Sequence, residues 1–147
     1  MKKILLVLGL TAGMGWTTAM AGEKTISPRV LESFKQEFSG ATNVSWIAGS
    51  NYYRAAFVIN GQNVFAYYTT DGELMSLARY ISSQQLPIHL LTTLKNDYDK
   101  YWISDLFEVN NKEGTSYYVT LENAETKLML RSGNGNDWST HSKRRKI

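Results

Sequence analysis

The carboxylates Asp97, Asp99, Asp105 and Glu108 come nearest to a spacing that does chemistry, because they fill positions one, three, nine and twelve of a calcium-binding loop, where oxygen ligands belong. The match ends there. Position five is Tyr101, and position six, where the sharp turn needs glycine, is Trp102, so the segment reads as a helix end running into a strand. Gly133-x-Gly135-x-Asp137 copies one unit of a calcium-binding β-roll, an architecture that needs stacked copies, and its glycines lack the strand-then-helix setting of a phosphate cradle. His89 has no histidine four residues away and sits beside an apolar stripe, the setting of a structural residue and not of a zinc ligand. Asp71 and Glu73 flank a turn glycine, which accounts for both without an acid/base pair. With no cysteine among 147 residues, thiol nucleophiles, cysteine-held zinc, iron–sulfur clusters and disulfides are excluded together. A protein without catalysis, metal or cofactor is the expectation.

A second constellation binds instead of reacting. Tyr52, Arg54, Phe65, Tyr67, Tyr118, Met129 and Arg131 combine aromatic rings, arginine and flexible methionine, the composition of a protein-binding hot spot. Ordinary cross-strand packing, in which tyrosine and arginine cover each other on a solvated sheet, uses the same residues. Base stacking is a third use, and the charge distribution described below argues against it.

Hairpin geometry is what would place these side chains on one surface. Ser27 and Pro28 form an N-cap and a first-turn proline, and Val30, Leu31, Phe34 and Phe38 follow as one stripe of an amphipathic helix closed by Gly40. A short strand at 44–48, alternating runs at 52–59 and 62–69 joined by Asn60-Gly61, and a strand at 73–81 after Asp71-Gly72 then read as a meander. The two-residue turn sets Phe57 opposite Val64, Ala55 opposite Ala66 and Tyr53 opposite Tyr68 on the helix-facing surface. Tyr52, Arg54, Phe65 and Tyr67 are left on the other. Pro87 opens a second helix whose Leu90, Leu91, Leu94 and Tyr98 repeat the first stripe at an offset of sixty residues, and strands follow at 102–109, 116–122 and 126–131. Their alternation adds Tyr118, Met129 and Arg131 to the outer surface. The expected fold is α+β, two tandem helix-plus-antiparallel-meander repeats at about 27–81 and 86–132, within a single domain spanning 22–142.

Lys2 and Lys3 precede an apolar run from Ile4 to Leu10, and Ala19-Met20-Ala21 supplies the small residues of a cleavage site, so 1–21 reads as a secretory signal peptide. Its core is too short and too rich in glycine to span about 30 Å of hydrocarbon. Sixteen basic and thirteen acidic side chains give the whole chain +3 at pH 7. Two of those cations leave with the leader, and Lys143, Arg144, Arg145 and Lys146 crowd into a basic tail at 143–147. The body between is slightly acidic, which argues against nucleic acid, and the tail reads as solvated. A periplasmic or secreted monomer, not inserted in the membrane after cleavage, is expected.

The Tyr53-x-Ala55-x-Phe57 strand, the Asn-Gly turn, the aromatic strand with Ala66 and Tyr68, Asp71-Gly72 and Leu86-Pro87, all behind a signal peptide, resemble the PepSY-like family of exported bacterial proteins. That family is also described as beta-lactamase-inhibitor-like. Phe38, Val44, Trp46 and Arg79 add to the resemblance, which covers about Ser27 to Arg131. It implies helices packed on one face of a curved antiparallel sheet, an envelope or secreted location, and binding or inhibition in place of catalysis. The inhibitor branch binds its target on the concave sheet face and carries disulfides that this chain cannot form, so no target-contacting residue carries over. The sequence thus reads as an exported binding or inhibitory module acting on an envelope or secreted protein or peptide through an exposed sheet face. The alternative is a small-molecule binder sheltering an apolar ligand among the tyrosines.

Overall fold

A computed structural model describes residues 25–147, and the expected signal peptide lies outside the described residues. Helix α1 (Pro28–Glu37) begins where the Ser27 hydroxyl accepts a hydrogen bond from the Arg29 N–H at 3.2 Å, with Pro28 in the first turn, where no N–H is needed. Its apolar stripe buries Val30 and Phe34 completely. Strands β1 (Thr42–Ala48), β2 (Tyr53–Ile59), β3 (Gln62–Tyr68) and β4 (Leu74–Tyr80) follow. Between β2 and β3, Asn60 and Gly61 both have positive φ, 51° and 76°, the type I′ turn that matches strand twist. That turn fixes the pairs Tyr53 with Tyr68, Ala55 with Ala66 and Phe57 with Val64, as the hairpin argument requires. A bulge between Thr42 and Ser45, with Asn43 at φ 53°, bends β1.

A short 3-10 turn (Ser83–Gln85) and helix α2 (Ile88–Asp97) come next, then β5 (Trp102–Asn111), β6 (Gly114–Glu122), β7 (Thr126–Ser132) and β8 (Ser139–Arg145). Strand order in the sheet is the order of the sequence, β1 to β8. The described chain forms two compact units, 25–77 and 78–147, each with its own core. In the first, Val30 and Phe34 of α1 lie on Val44, Trp46, Ala55, Phe57, Ala66 and Tyr68. In the second, Leu90 and Leu94 of α2 lie on Leu106, Val119, Leu121, Leu128 and Leu130. Trp138 packs against that second core, and its indole N–H donates to the Leu90 carbonyl at 3.1 Å, fixing α2 to the segment entering β8.

This architecture corrects the expected fold class. Among the described residues the protein is sheet-dominated, one eight-stranded antiparallel sheet with two ten-residue helices, and not an α+β pair of tandem helix-plus-meander repeats. The repeated pattern recorded what burial demands: a helix lying on a sheet shows a 3.6-residue period and a half-buried strand a two-residue one, whatever their history. The matched strands also differ in length, seven residues in β1 against ten in β5 and seven in β2 against nine in β6. Strand β8 was not expected at all; Lys143, Arg144 and Arg145 pair within it against β7, their side chains exposed.

Candidate binding face

In the first unit, strand alternation carries Arg54, Phe65 and Tyr67 to the side opposite the buried Ala55, Phe57, Ala66 and Tyr68, and Tyr52 joins them from the residue before β2. Register sets Arg54 beside Tyr67 and Ala56 beside Phe65. The Arg54 guanidinium lies over the Phe65 ring, 5.0 Å from its centroid, and the Tyr52 and Tyr67 centroids are 5.9 Å apart. Ile47 of β1 pairs with Arg54 and is 36% exposed, an apolar rim that the sequence reading did not include. Tyr52 owes its place to Gly49, whose N–H donates to the Tyr52 carbonyl at 2.8 Å and where any Cβ would overlap the Tyr52 ring. Gly49→Ala is therefore expected to keep the fold at a cost of about 1–3 kcal/mol and to drive the Tyr52 ring away from Tyr67. Proton NMR would show this as shifted Tyr52 and Tyr67 ring resonances; unaltered ring shifts would refute it.

The second unit holds Tyr118, Met129 and Arg131. Tyr118 stacks on Phe107, with centroids 5.1 Å apart and planes at 10°, and His141 of β8 meets it edge-on at 5.5 Å. Arg131, paired with Tyr118 in register, donates from Nε to the Tyr118 hydroxyl and from Nη2 to Ser116 Oγ, both at 3.0 Å. Gly133 gives that guanidinium room, since a Cβ there would stand 2.9 Å from Arg131 Nη1. Met129 pairs with Thr120 and Ser142. Tyr80 also meets Phe107 edge-on at 6.3 Å. Phe107, Tyr80 and His141 were missed in the sequence, although Leu106 facing the core already implied that Phe107 faces away. The seven expected residues fall four in one unit and three in the other. Cross-strand packing accounts for Arg131 in full, whereas it covers Arg54 with the Phe65 ring and leaves its guanidinium without an acceptor.

The other polar patterns are absorbed by structure. Asp97 ends α2 and Asp99 lies in the turn after it, while Asp105 and Glu108 sit in β5, where Glu108 is held by Arg79 at 2.7 Å. That bond lifts the Arg79 pKa above its ordinary value. Burial, and then the Glu108 charge, raises that of Tyr117. Glu122 is held low by hydrogen bonds from Lys146, whose Nζ is 2.8 Å away, and from Ser104. In the Gly133 to Asp137 loop, Asn134 Oδ1 accepts from the Asn136 and Asp137 N–H groups at 2.8 and 3.0 Å, which makes it a side-chain-built turn. His89 is exposed on α2. An open groove in the second unit is lined by Leu91, Leu94, Tyr98, Tyr101, Ile103 and Leu121, and the outer-face tyrosines are not part of it.

No protein-family model and no curated protein matches the chain. Solved structures do. A BLIP-like protein from Bacteroides fragilis superposes with a TM-score of 0.69 over 84% of this chain and 89% of its own, at 20% identity. The fold is BLIP-like. This chain's fold is also similar to that of a DUF2874 family protein from Bacteroides ovatus, with a TM-score of 0.71 over 83% of this chain and 89% of that one at 16% identity. It is similar again to that of a protein provisionally assigned to the periplasm of Bacteroides eggerthii, with a TM-score of 0.71 over 83% and 90% at 15% identity. At these identities the likeness is one of fold.

Proposed function

We propose that the protein is an exported, monomeric, non-enzymatic module that binds another envelope or secreted protein or peptide with the outer surface of its sheet. The observation that carries this reading is the half-buried cluster of Tyr52, Arg54, Phe65 and Tyr67, which packs aromatic area around a cation on the side away from the core. The BLIP-like description of the Bacteroides fragilis structure supports binding as the role. The leader pattern at 1–21 and the provisional periplasmic assignment of the Bacteroides eggerthii structure support a periplasmic or secreted location, and no helix among the described residues is long and apolar enough to cross a membrane. The PepSY-like name, resting on Tyr53, Ala55, Phe57, Asp71-Gly72 and Leu86-Pro87, belongs to the same proposal.

Tyr67→Ala tests it. The variant is expected to fold with a stability loss below about 1 kcal/mol, since the ring lies outside the core, and to weaken capture of the bound partner from envelope extract by about 1–2 kcal/mol, roughly tenfold. Equal capture by Tyr67→Ala and Arg54→Ala would overturn the sheet-face reading.

A further inference from the structure

We infer that the outer face of the first unit receives a carboxylate: an extended partner segment carrying Asp or Glu next to an apolar or aromatic side chain, with Arg54 as counter-ion and Tyr52, Phe65 and Tyr67 as the walls. The inference rests on the binding-module reading and specifies the chemistry of its partner. Arg54, Arg79 and Arg131 are all half-buried. Arg79 holds Glu108, and Arg131 donates to Tyr118 and Ser116. Arg54 has neither an ion pair nor a hydrogen bond to its side chain among the described residues, and its Nε is buried without an acceptor. A desolvated donor left unmade is costly, and the Phe65 face, 5.0 Å from the guanidinium carbon, supplies attraction but no lone pair for an N–H. Since Nε is closed to solvent, an acceptor arriving from outside would meet the two Nη groups, which carry no hydrogen bond within the described residues and are not buried.

A carboxylate fits better than a phosphate. The guanidinium fork matches a carboxylate's two oxygens, and the side chains that frame it, Ile47, Tyr52, Phe65 and Tyr67, add no second cation to balance a doubly charged group. Neutral aromatic walls also lower the local dielectric around the pair, so the partner's neighbouring side chain should be apolar as well.

A displayed library of random heptapeptides, panned on the full chain and on Arg54→Gln, Arg54→Lys and Tyr67→Ala, is the test. Peptides enriched on the native chain are expected to carry Asp or Glu beside an aromatic or apolar residue. For one such synthetic peptide, changing its acid to the amide and changing Arg54 to Gln should each weaken binding by about tenfold, and the two together should add little more. Arg54→Lys, which keeps the charge but loses the fork, should fall between, and binding should weaken with added salt. Near-UV circular dichroism establishes that each variant is folded, and the peptide-side change reads the contact even where a protein variant fails. Enriched peptides without a carboxylate preference that still lose binding to Tyr67→Ala would overturn the carboxylate and leave the sheet-face reading standing. Peptides indifferent to both Tyr67 and Arg54 would overturn both, and a library that yields no binder would overturn the inference.

Discussion

Phe34→Ala is expected to cost about 3–5 kcal/mol of folding stability, the cost of leaving a ring-sized cavity in a close-packed core. Phe34 has no solvent exposure and stands at the centre of the aromatic cluster under α1: its ring is 4.9 Å from Phe57, 5.3 Å from Trp46 and 5.4 Å from Phe38. The Phe57 and Trp46 contacts are edge-on, so both the dispersion contacts and the quadrupole alignment go with the ring. The gap does not close cheaply, because the neighbours of a deleted ring in a close-packed core relax only in part. Urea denaturation followed by tryptophan fluorescence measures the loss, with Tyr67→Ala as the surface control. A loss under about 1 kcal/mol would mean that Phe34 is not the centre of this core.

Alkaline pH should destabilise the protein through one tyrosine. Tyr68 is fully buried and donates its phenolic proton to Glu37 Oε1 at 2.7 Å; burial first, then that bond, then the Glu37 charge hold its pKa far above the ordinary 10.0. Below about pH 10 the phenol is protonated in both states, and the contribution is fully present. Above that, the unfolded chain releases the proton and the folded one keeps it, so stability should fall by about 1.4 kcal/mol for each further pH unit. Folding free energies measured on either side of pH 10 for the native chain and Tyr68→Phe provide the check: the substitution should remove that extra slope. Parallel pH profiles for the two would refute the assignment.

How legible these features were depended on how local their causes are. The β2–β3 register follows from Asn60-Gly61 alone, since a two-residue turn with both residues at positive φ admits one pairing, and the outer positions of Arg54, Phe65 and Tyr67 follow with it. The cap at Ser27-Pro28 is equally local. Strand β8 was hidden because every side chain from Ser139 to Arg145 is exposed, so there is no apolar alternation to read; its pairing comes from the open side of β7. The outer-face neighbours Tyr80 and His141 depend on pairings across intervening helices or loops, which no periodicity reports. The same holds for the solitary state of Arg54. Three arginines of one residue type differ only in whether a distant Glu108, Tyr118 or Ser116 reaches them. The mistaken repeat has the opposite origin, a strong local signal whose cause was burial.

Among the described residues β1 and β8 are the outermost strands of the sheet, and neither offers another chain a flat template for fibril growth. The Asn43 bulge breaks the hydrogen-bonding row of β1. Along β8, Lys143, Arg144 and Arg145 would meet the same cations on an incoming copy, so self-templated growth by strand addition works against its own charge. Propagation of the sheet from molecule to molecule is thus opposed at one end by shape and at the other by electrostatics.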